Sequence, residues 1–298
     1  MYSAEDIEEL FRLGRALSII LETLLQRIKP GAGIGPIVDE CLLLTRKAGL
    51  ELAFPPNVSV NQIAAHDTAD ICDSRVLPNE GLVKLDIGVA KGGLLTDCAR
   101  TVALGAVEDK LVVASEEALL TAIKTTKPGV RLRKIGEAIH RTVKSHGLRS
   151  VRNLVGHEII KGSLHTGTAV PNNKTLLSGY RRVKLGETYA IEPFVTTGGL
   201  GLVVEAKSKP LIYEITHPPR TSLGRQLFKR WGTSPFSGRP SQTYIEFDQD
   251  EFYRTCYLDN FRAYPPLVER TGRWVAQSED TILVTQDGVE VLTYGRGW

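Results

Sequence analysis

Residues 82–104 read LVKLDIGVAKGGLLTDCARTVAL, and this stretch decides the fold of the chain. Two strand-like runs, 82–89 and 94–104, flank a glycine-rich segment, and the first run alternates apolar residues with others. Alternation with a period of two is typical of a strand that buries one face. We therefore predict a β-hairpin whose turn either is centred on Lys91-Gly92 or spans residues 90–93.

Further helices and strands are predicted on both sides of this hairpin. Ser3 and Asp6 resemble a helix cap, and apolar residues recur at helical spacing from Ile7 to Pro30-Gly31, where the helix should end. The other predicted elements are helices at about 36–49, 108–126 and 131–146, strands at 186–196, 200–206, 209–215 and 273–278, and a hairpin around Asp287-Gly288. This order favours an α+β fold with an antiparallel sheet over a doubly wound parallel sheet.

Residues from about 216 to 264 differ from the rest of the chain. Proline, glycine and serine separate short helical segments such as SLGRQLFKRW and QDEFYRTCYL. We interpret this region as an insertion into a frame that is otherwise rich in strands.

Composition excludes several classes of protein. The 298 residues are 42% hydrophobic and 24% charged, which is ordinary for a globular protein. No stretch approaches the roughly 20 apolar residues of a membrane span, and the acidic N-terminus is unlike a secretory signal. Four dispersed cysteines without a C-x-x-C pair argue against a disulfide framework or a zinc ribbon and fit the cytoplasm. A net charge of +3 does not indicate a nucleic-acid partner.

Two aspartates in the hairpin indicate a candidate functional site. With the predicted turn, Asp86 and Asp97 lie directly opposite each other on one face, with Cβ atoms about 4.5–5.5 Å apart. Two ionised carboxylates at that distance repel by roughly 3 kcal/mol at an effective dielectric constant near 20. A shared proton or a bound cation would relieve this repulsion. The alternative is that both face solvent, or that a bulge shifts the register.

Three further residues decide between these alternatives. His157 ends a short apolar run, and a lone histidine there is more often a core residue than a ligand. Glu192 lies within the apolar run YAIEPF, where a buried carboxylate needs a partner or a metal ion. Glu279 lies in WVAQSEDTILV, although it could face solvent on an edge strand. Two aspartates, two glutamates and one histidine suit a pair of divalent ions such as Mn, Fe, Co or Zn.

The same residues carry a resemblance to a known family. KLDIGV, LLTDCART, NLVGHEI, AIEPF and AQSEDT occur in the order found in methionine aminopeptidases of the pita-bread fold. The resemblance spans the whole chain. The long connection between Glu192 and Glu279 resembles the type II, archaeal-like branch. The resemblance implies a catalytic domain of residues 1–200 and 265–298 with a mainly helical insertion of residues 201–264.

The resemblance also implies a role for each site residue. Asp86 would chelate one metal ion, Asp97 and Glu279 would bridge two, and His157 and Glu192 would complete the second site. The catalytic set would be His66, His165 and Glu192, with His66 contacting the scissile amide and His165 the carbonyl oxygen. Phe54, Phe194 and Tyr264 would line the methionine pocket with these histidines; judged alone, the aromatic residues would be core residues.

Two departures from the family pattern concern substrate preference. Type II enzymes usually have Phe and His beside the second bridging glutamate, where this chain has Ser278 and Asp280. The Glu-Asp-Thr string is closer to that of proline-specific dipeptidases of the same fold, which remain an alternative. A non-catalytic binding protein of this fold is the other alternative.

The resemblance implies partners as well. The substrates would be the N-termini of nascent polypeptides with a small second residue, and a transient contact with the ribosome is conceivable. We expect a cytoplasmic monomer that binds no specific nucleic acid and no membrane.

Overall fold

The computed structural model describes residues 2–107, 109–175, 179–243 and 245–293. The helices are α1 (Ala4–Leu25), α2 (Ile34–Lys47), α3 (Lys110–Thr125), α4 (Leu132–Ser145), α5 (Ser222–Trp231), α6 (Pro240–Thr243) and α7 (Gln249–Leu258). In the described ranges, no helix has both the length and the apolar character required to cross a membrane.

The strands are short apart from the two of the central hairpin. They are β1 (Glu51–Leu52), β2 (Asn57–Val60), β3 (Ile63–Ala65), β4 (Gly81–Lys91), β5 (Leu94–Leu104), β6 (Arg149–Ser150), β7 (Val155–Ile159), β8 (Ala169–Pro171), β9 (Thr188–Ile191), β10 (Phe194–Thr196), β11 (Val203–Glu205), β12 (Ile212–Glu214), β13 (Phe236–Ser237), β14 (Arg262–Tyr264), β15 (Leu267–Glu269), β16 (Val275–Gln277), β17 (Glu279–Val284) and β18 (Val289–Val291).

The turn of the hairpin formed by β4 and β5 lies at a different position from that predicted. Lys91 pairs with Leu94, so that the turn is Gly92-Gly93 and neither Lys91-Gly92 nor residues 90–93. Both glycines have positive φ, 58° and 82°. Two successive residues at positive φ are typical of the type I′ turn, whose twist matches that of the flanking strands.

The position of the turn shifts the register of the two aspartates. Asp97 lies opposite Gly88, and Asp86 lies opposite Ala99. The prediction that Asp86 and Asp97 face each other directly is therefore wrong. They are diagonal neighbours on one face of the ladder, still within the reach of a common ligand.

The main sheet is antiparallel and holds nine strands. Seven follow the order β1-β4-β5-β17-β9-β7-β8, with β18 beside β17 and β2 beside β4. The hairpin around Asp287-Gly288 is present, with Val284 paired to Val289. The predicted α+β class is confirmed, and β17 joins the hairpin β4-β5 to the strands that follow α4.

Two pairs of helices cover one face of this sheet. Helices α1 and α2 pack on the hairpin, where Leu17 and Leu85 share one apolar cluster. Helices α3 and α4 pack on the other half, where Ile139 and Ile191 share a second cluster. Because side chains alternate along a strand, the neighbours of Leu85 and Ile191 point to the opposite face, which the helices leave uncovered.

A separate aromatic cluster lies in the region interpreted as an insertion. Helices α5 and α7 pack around Phe236 and Phe252, beside the small sheet β13-β12-β14. These two helices coincide with the predicted segments SLGRQLFKRW and QDEFYRTCYL. Arg239 attaches this part of the chain to α2, since its guanidinium lies 2.7 Å from the Asp39 carboxylate.

The helices predicted at about 36–49, 108–126 and 131–146 agree with the structure to within about two residues, the usual uncertainty of helix ends. The first helix ends at Leu25, earlier than the predicted end at Pro30-Gly31. Ser3 caps α1 in a reciprocal arrangement with Asp6, as predicted. The predicted start of the third helix, residue 108, lies outside the described residues, and the helix is described from Lys110.

The turn of the central hairpin should be sensitive to β-branched side chains. Gly92→Val forces a bulky residue to positive φ, and we expect it to lower the free energy of unfolding by about 1–2 kcal/mol. Gly92→Asn should cost much less, because asparagine tolerates this conformation. Denaturant melts of both variants measure the difference. Gly199→Val is the control, since Gly199 has no positive φ and open space around its Cβ position; equal losses at Gly92 and Gly199 would contradict the assignment of the turn.

Candidate metal centre

Five predicted site residues lie on the uncovered face of the main sheet. They are Asp86 on β4, Asp97 on β5, His157 on β7, Glu279 on β17 and Glu192 directly after β9. The pairing of the strands brings them together, because Asp86 and Glu279 both lie opposite Ala99, and His157 lies opposite Ala190. Residues far apart in sequence thus meet in one pocket.

The distances between these side chains suit a shared cation. One ligand atom from each of Asp97, His157 and Glu279 lies within 4.8 Å of the others. Nε2 of His157 lies 3.6 Å from Oδ2 of Asp97 and 3.8 Å from Oε1 of Glu192. Asp86 is connected to Glu279 through the side chain of Gln277, which is described below.

The electrostatics of the pocket disfavour four negative charges. Burial raises the pKa of Asp97 to about 8. Burial, followed by repulsion from neighbouring carboxylates, also raises the pKa of Asp86, Glu192 and Glu279 well above the usual range. Burial lowers the pKa of His157 to about 4, so that its imidazole is neutral at pH 7. Within the part of the chain that the structure describes, no lysine or arginine forms an ion pair with these four acids.

The donor atoms fit a divalent metal ion. Oδ1 of Asp86, Oδ1 of Asp97 and Oε1 of Glu279 are buried and have no hydrogen-bond partner among the described residues. A buried carboxylate oxygen without a partner is costly unless it coordinates an ion. An oxygen-rich set with one neutral imidazole suits borderline divalent ions and does not resemble a sulfur-rich structural zinc site.

The two other predicted histidines lie beside this pocket. The His165 ring is 4.2 Å from the His157 ring, centroid to centroid. His66 has a φ of 62°, in the left-handed region that non-glycine residues seldom occupy. Its ring meets Tyr264 edge-on at 5.5 Å. Burial lowers the pKa of both histidines to about 4, so that both are neutral at pH 7.

The two predicted pocket phenylalanines are buried in separate apolar clusters. Phe54 packs over Gly88 on the ligand-bearing face, beside Ile159 and Ala190. Phe194 is 2% exposed and belongs to a cluster of the small sheet β16-β10-β6. Phe54 is therefore near the ligands through Gly88 and Ala190, and Phe194 lies opposite Gln277 on the neighbouring strand β16.

The two departures from the family pattern point away from the acidic pocket. Asp280 follows Glu279 on β17, and alternation places it on the helix-covered face. Its carboxylate accepts two hydrogen bonds of 2.9 Å from Arg100 and one of 2.8 Å from Thr293. The hydroxyl of Ser278 lies 2.8 Å from that of Ser115 on α3.

Two polar residues near the site were missed by the sequence analysis. The Gln277 amide donates to Oδ2 of Asp86 at 3.4 Å and to Oε2 of Glu279 at 3.2 Å, and so connects two predicted ligands. Arg100 donates to the carbonyl of Glu279 from behind the strand. Both residues interrupt apolar strand runs, and this is the signal that could have revealed them.

The raised pKa of Asp97 predicts how the stability of the metal-free protein depends on pH. An acid whose pKa is higher in the folded state stabilises the fold while it is protonated, and this contribution is lost as the pH rises to about 8. The parent should therefore lose more stability between about pH 6.5 and about pH 8.5 than Asp97→Asn. Thermal melts after chelation measure this difference, and identical slopes would contradict the buried-acid assignment.

Comparisons with known proteins agree with the chemistry of this pocket. The sequence profile of metallopeptidase family M24 matches residues 8–286. The methionine aminopeptidase of Thermococcus onnurineus is 34% identical over 297 residues, covering 97% of this chain and all of that protein. The crystal structure of methionine aminopeptidase from Thermotoga maritima superposes with a TM-score of 0.74 at 25% identity, covering 99% of this chain and 98% of that one.

A structure from a related branch shares the fold alone. Prolidase from Pyrococcus furiosus has a TM-score of 0.66 at 15% identity, and this chain covers 66% of its length. The match with the profile spans nearly the whole chain, and the methionine aminopeptidase of Thermococcus is matched from end to end. The predicted resemblance and pita-bread fold are confirmed: the chain belongs to metallopeptidase family M24, in the branch of the archaeal methionine aminopeptidases.

Proposed function

We propose that this protein is a dinuclear-metal aminopeptidase that removes the N-terminal methionine from newly made proteins and prefers a small second residue. The observation that supports it is the convergence of Asp97, His157 and Glu279 on one buried point. The name of the 34% identical relative, methionine aminopeptidase, supports the choice of substrate.

The proposed metal centre holds two divalent ions, with Co, Mn, Fe or Zn as candidates. Asp86 would serve one ion, His157 and Glu192 would serve the other, and Asp97 and Glu279 would be shared by both. When bound, such ions lower the pKa of a water molecule toward neutrality and polarise the scissile carbonyl.

The side chains of the chain supply the remaining steps. We propose that the Glu192 carboxylate accepts a proton from the attacking water and passes it to the leaving nitrogen. Neutral His165 donates a hydrogen bond to the developing oxyanion, which is typically worth about 3 kcal/mol of barrier, and His66 positions the leaving amide.

The alternatives have less support. The dipeptidase alternative depended on Ser278 and Asp280, and both contact the helix-covered side of the sheet. The binding-protein alternative requires lost ligands, whereas the strand pairing brings all five ligand positions to one face.

The domain organisation, the localisation and the partners are also part of the proposal. Residues 201–264 are the insertion and the remainder is the catalytic domain, with the aromatic cluster around Phe236 as the separate core of the insertion. We further propose a cytoplasmic monomer that acts on nascent chains and contacts the ribosome transiently.

A basic groove supports the ribosome contact. A groove of about 610 Å³ is lined by Lys124, Thr125, Lys127, Gly129, Val130, Arg131, Lys134 and Arg182. Backbone pairing between Arg131 and Arg182 brings together two basic segments that are distant in sequence. Lys134 pairs with Glu137, but the lining residues include no acid. Such a surface is complementary to the phosphates of ribosomal RNA.

Loss of a bridging ligand should abolish activity. Asp97→Ala and Glu279→Ala should each eliminate turnover of the peptide Met-Ala-Ser after loading with Co²⁺ or Mn²⁺, because the two ions would lose a shared carboxylate. Release of free methionine measures the activity, and the exposed variant Glu205→Gln is the control. Full activity in either alanine variant would refute the bridging roles, and faster cleavage of Xaa-Pro dipeptides by the parent would favour the dipeptidase alternative.

Charge reversal in the basic groove should weaken ribosome binding. Lys124→Glu combined with Lys127→Glu should reduce cosedimentation with purified ribosomes about tenfold or more at low salt, because phosphate contacts are lost. The matched control is Lys29→Glu with Lys47→Glu on the α2 side of the molecule. Equal binding by both double variants would remove the groove as the contact surface. Turnover of Met-Ala-Ser should be the same in both.

A further inference from the structure

One carboxylate near the site belongs to none of the proposed ligand positions. Glu214 ends β12, and its carboxylate accepts a hydrogen bond from the Tyr264 hydroxyl on the neighbouring strand β14. The Arg262 guanidinium lies 3.6 Å from the same carboxylate. Glu214 is therefore held in place by two residues of one adjacent strand.

Contacts between rings place Glu214 near the two histidines beside the proposed metal centre. The Tyr264 ring that it holds lies edge-on against His66, 5.5 Å away. Glu214 also interacts electrostatically with His165, whose ring is 4.2 Å from the proposed ligand His157. A carboxylate from the small sheet β13-β12-β14 thus faces the two histidines that flank the acidic pocket.

The charge of Glu214 is only partly compensated. Its side chain is 18% exposed, and Arg262 is 62% exposed, so that water screens much of their attraction. The Tyr264 hydroxyl and the two histidines are neutral at pH 7. Bound divalent ions would compensate the carboxylates of the pocket itself, but Glu214 lies outside that set.

We propose that Glu214 is a specificity-determining residue that favours peptides with a cationic third residue and disfavours those with an acidic one. This inference rests on the proposed function: with the methionine at the metal centre and His66 at the scissile amide, the residues after the cleaved bond lie beyond His66. The second residue is small under that proposal. The third residue is therefore the first that can carry a charged side chain toward Glu214.

A charge series of peptides tests the proposal. Met-Ala-Lys, Met-Ala-Gln and Met-Ala-Glu amides should be cleaved with kcat/KM values that fall in this order, with about a tenfold difference between the first and the last at low salt. Glu214→Gln should bring the lysine-to-glutamate ratio close to one, and Glu214→Asp should retain a ratio well above one. About 1 M NaCl should also reduce the ratio, since it shortens the screening length to about 3 Å.

Controls separate this proposal from a structural role and from the proposed function. Glu205→Gln, an exposed acid on β11, should leave the ratio unchanged. An equal loss of kcat/KM on all three peptides in Glu214→Gln, with the ratio preserved, would overturn the proposal. If the metal-loaded parent cleaves none of the three, the proposed function fails; calorimetric affinities of the same peptides then decide on Glu214, and equal affinities would overturn its role.

Discussion

Mutual repulsion among four clustered carboxylates, of which Asp97 and Glu279 are buried, is the constraint on which this structure depends. Asp86, Asp97, Glu192 and Glu279 are acids on one face of one sheet, and their pKa values are raised because burial and proximity oppose ionisation. A fold can keep such a group only if strong interactions elsewhere hold the strands in register. The two apolar clusters under the helix pairs provide that stabilisation on the opposite face of the same strands.

Much of the fold could be predicted from local patterns. Alternation identified the hairpin, helical spacing identified the paired helices, and SLGRQLFKRW and QDEFYRTCYL coincide with α5 and α7. The register of the hairpin could not be predicted, because it depends on which residues of AKGG adopt positive φ. Four residues permit several turns, and only Gly92-Gly93 at positive φ leaves Lys91 paired with Leu94.

The candidate site was predictable as a set of residues but not as an arrangement. Asp86 and Asp97 share a hairpin, whereas His157 and Glu279 reach them through β9 and β17, whose pairing spans distant parts of the chain. No local pattern shows such pairing, so the family resemblance had to supply it. Local context was also misleading: Asp280 adjoins a proposed ligand in sequence, yet it lies on the other side of the sheet and contacts Arg100.

The ion pair between Arg100 and Asp280 has a consequence for how this branch of the family could have diverged. Asp280 is fully buried and Arg100 nearly so, and removal of either partner would leave an uncompensated charge behind the strand that carries Glu279. Loss of one member of a buried pair typically costs about 3–5 kcal/mol, a large part of the stability of a domain. A lineage that replaced this pair with neutral residues would therefore pass through a poorly folded intermediate unless both codons changed together. A change at either of the two positions is therefore expected to be tolerated only together with a change at the other.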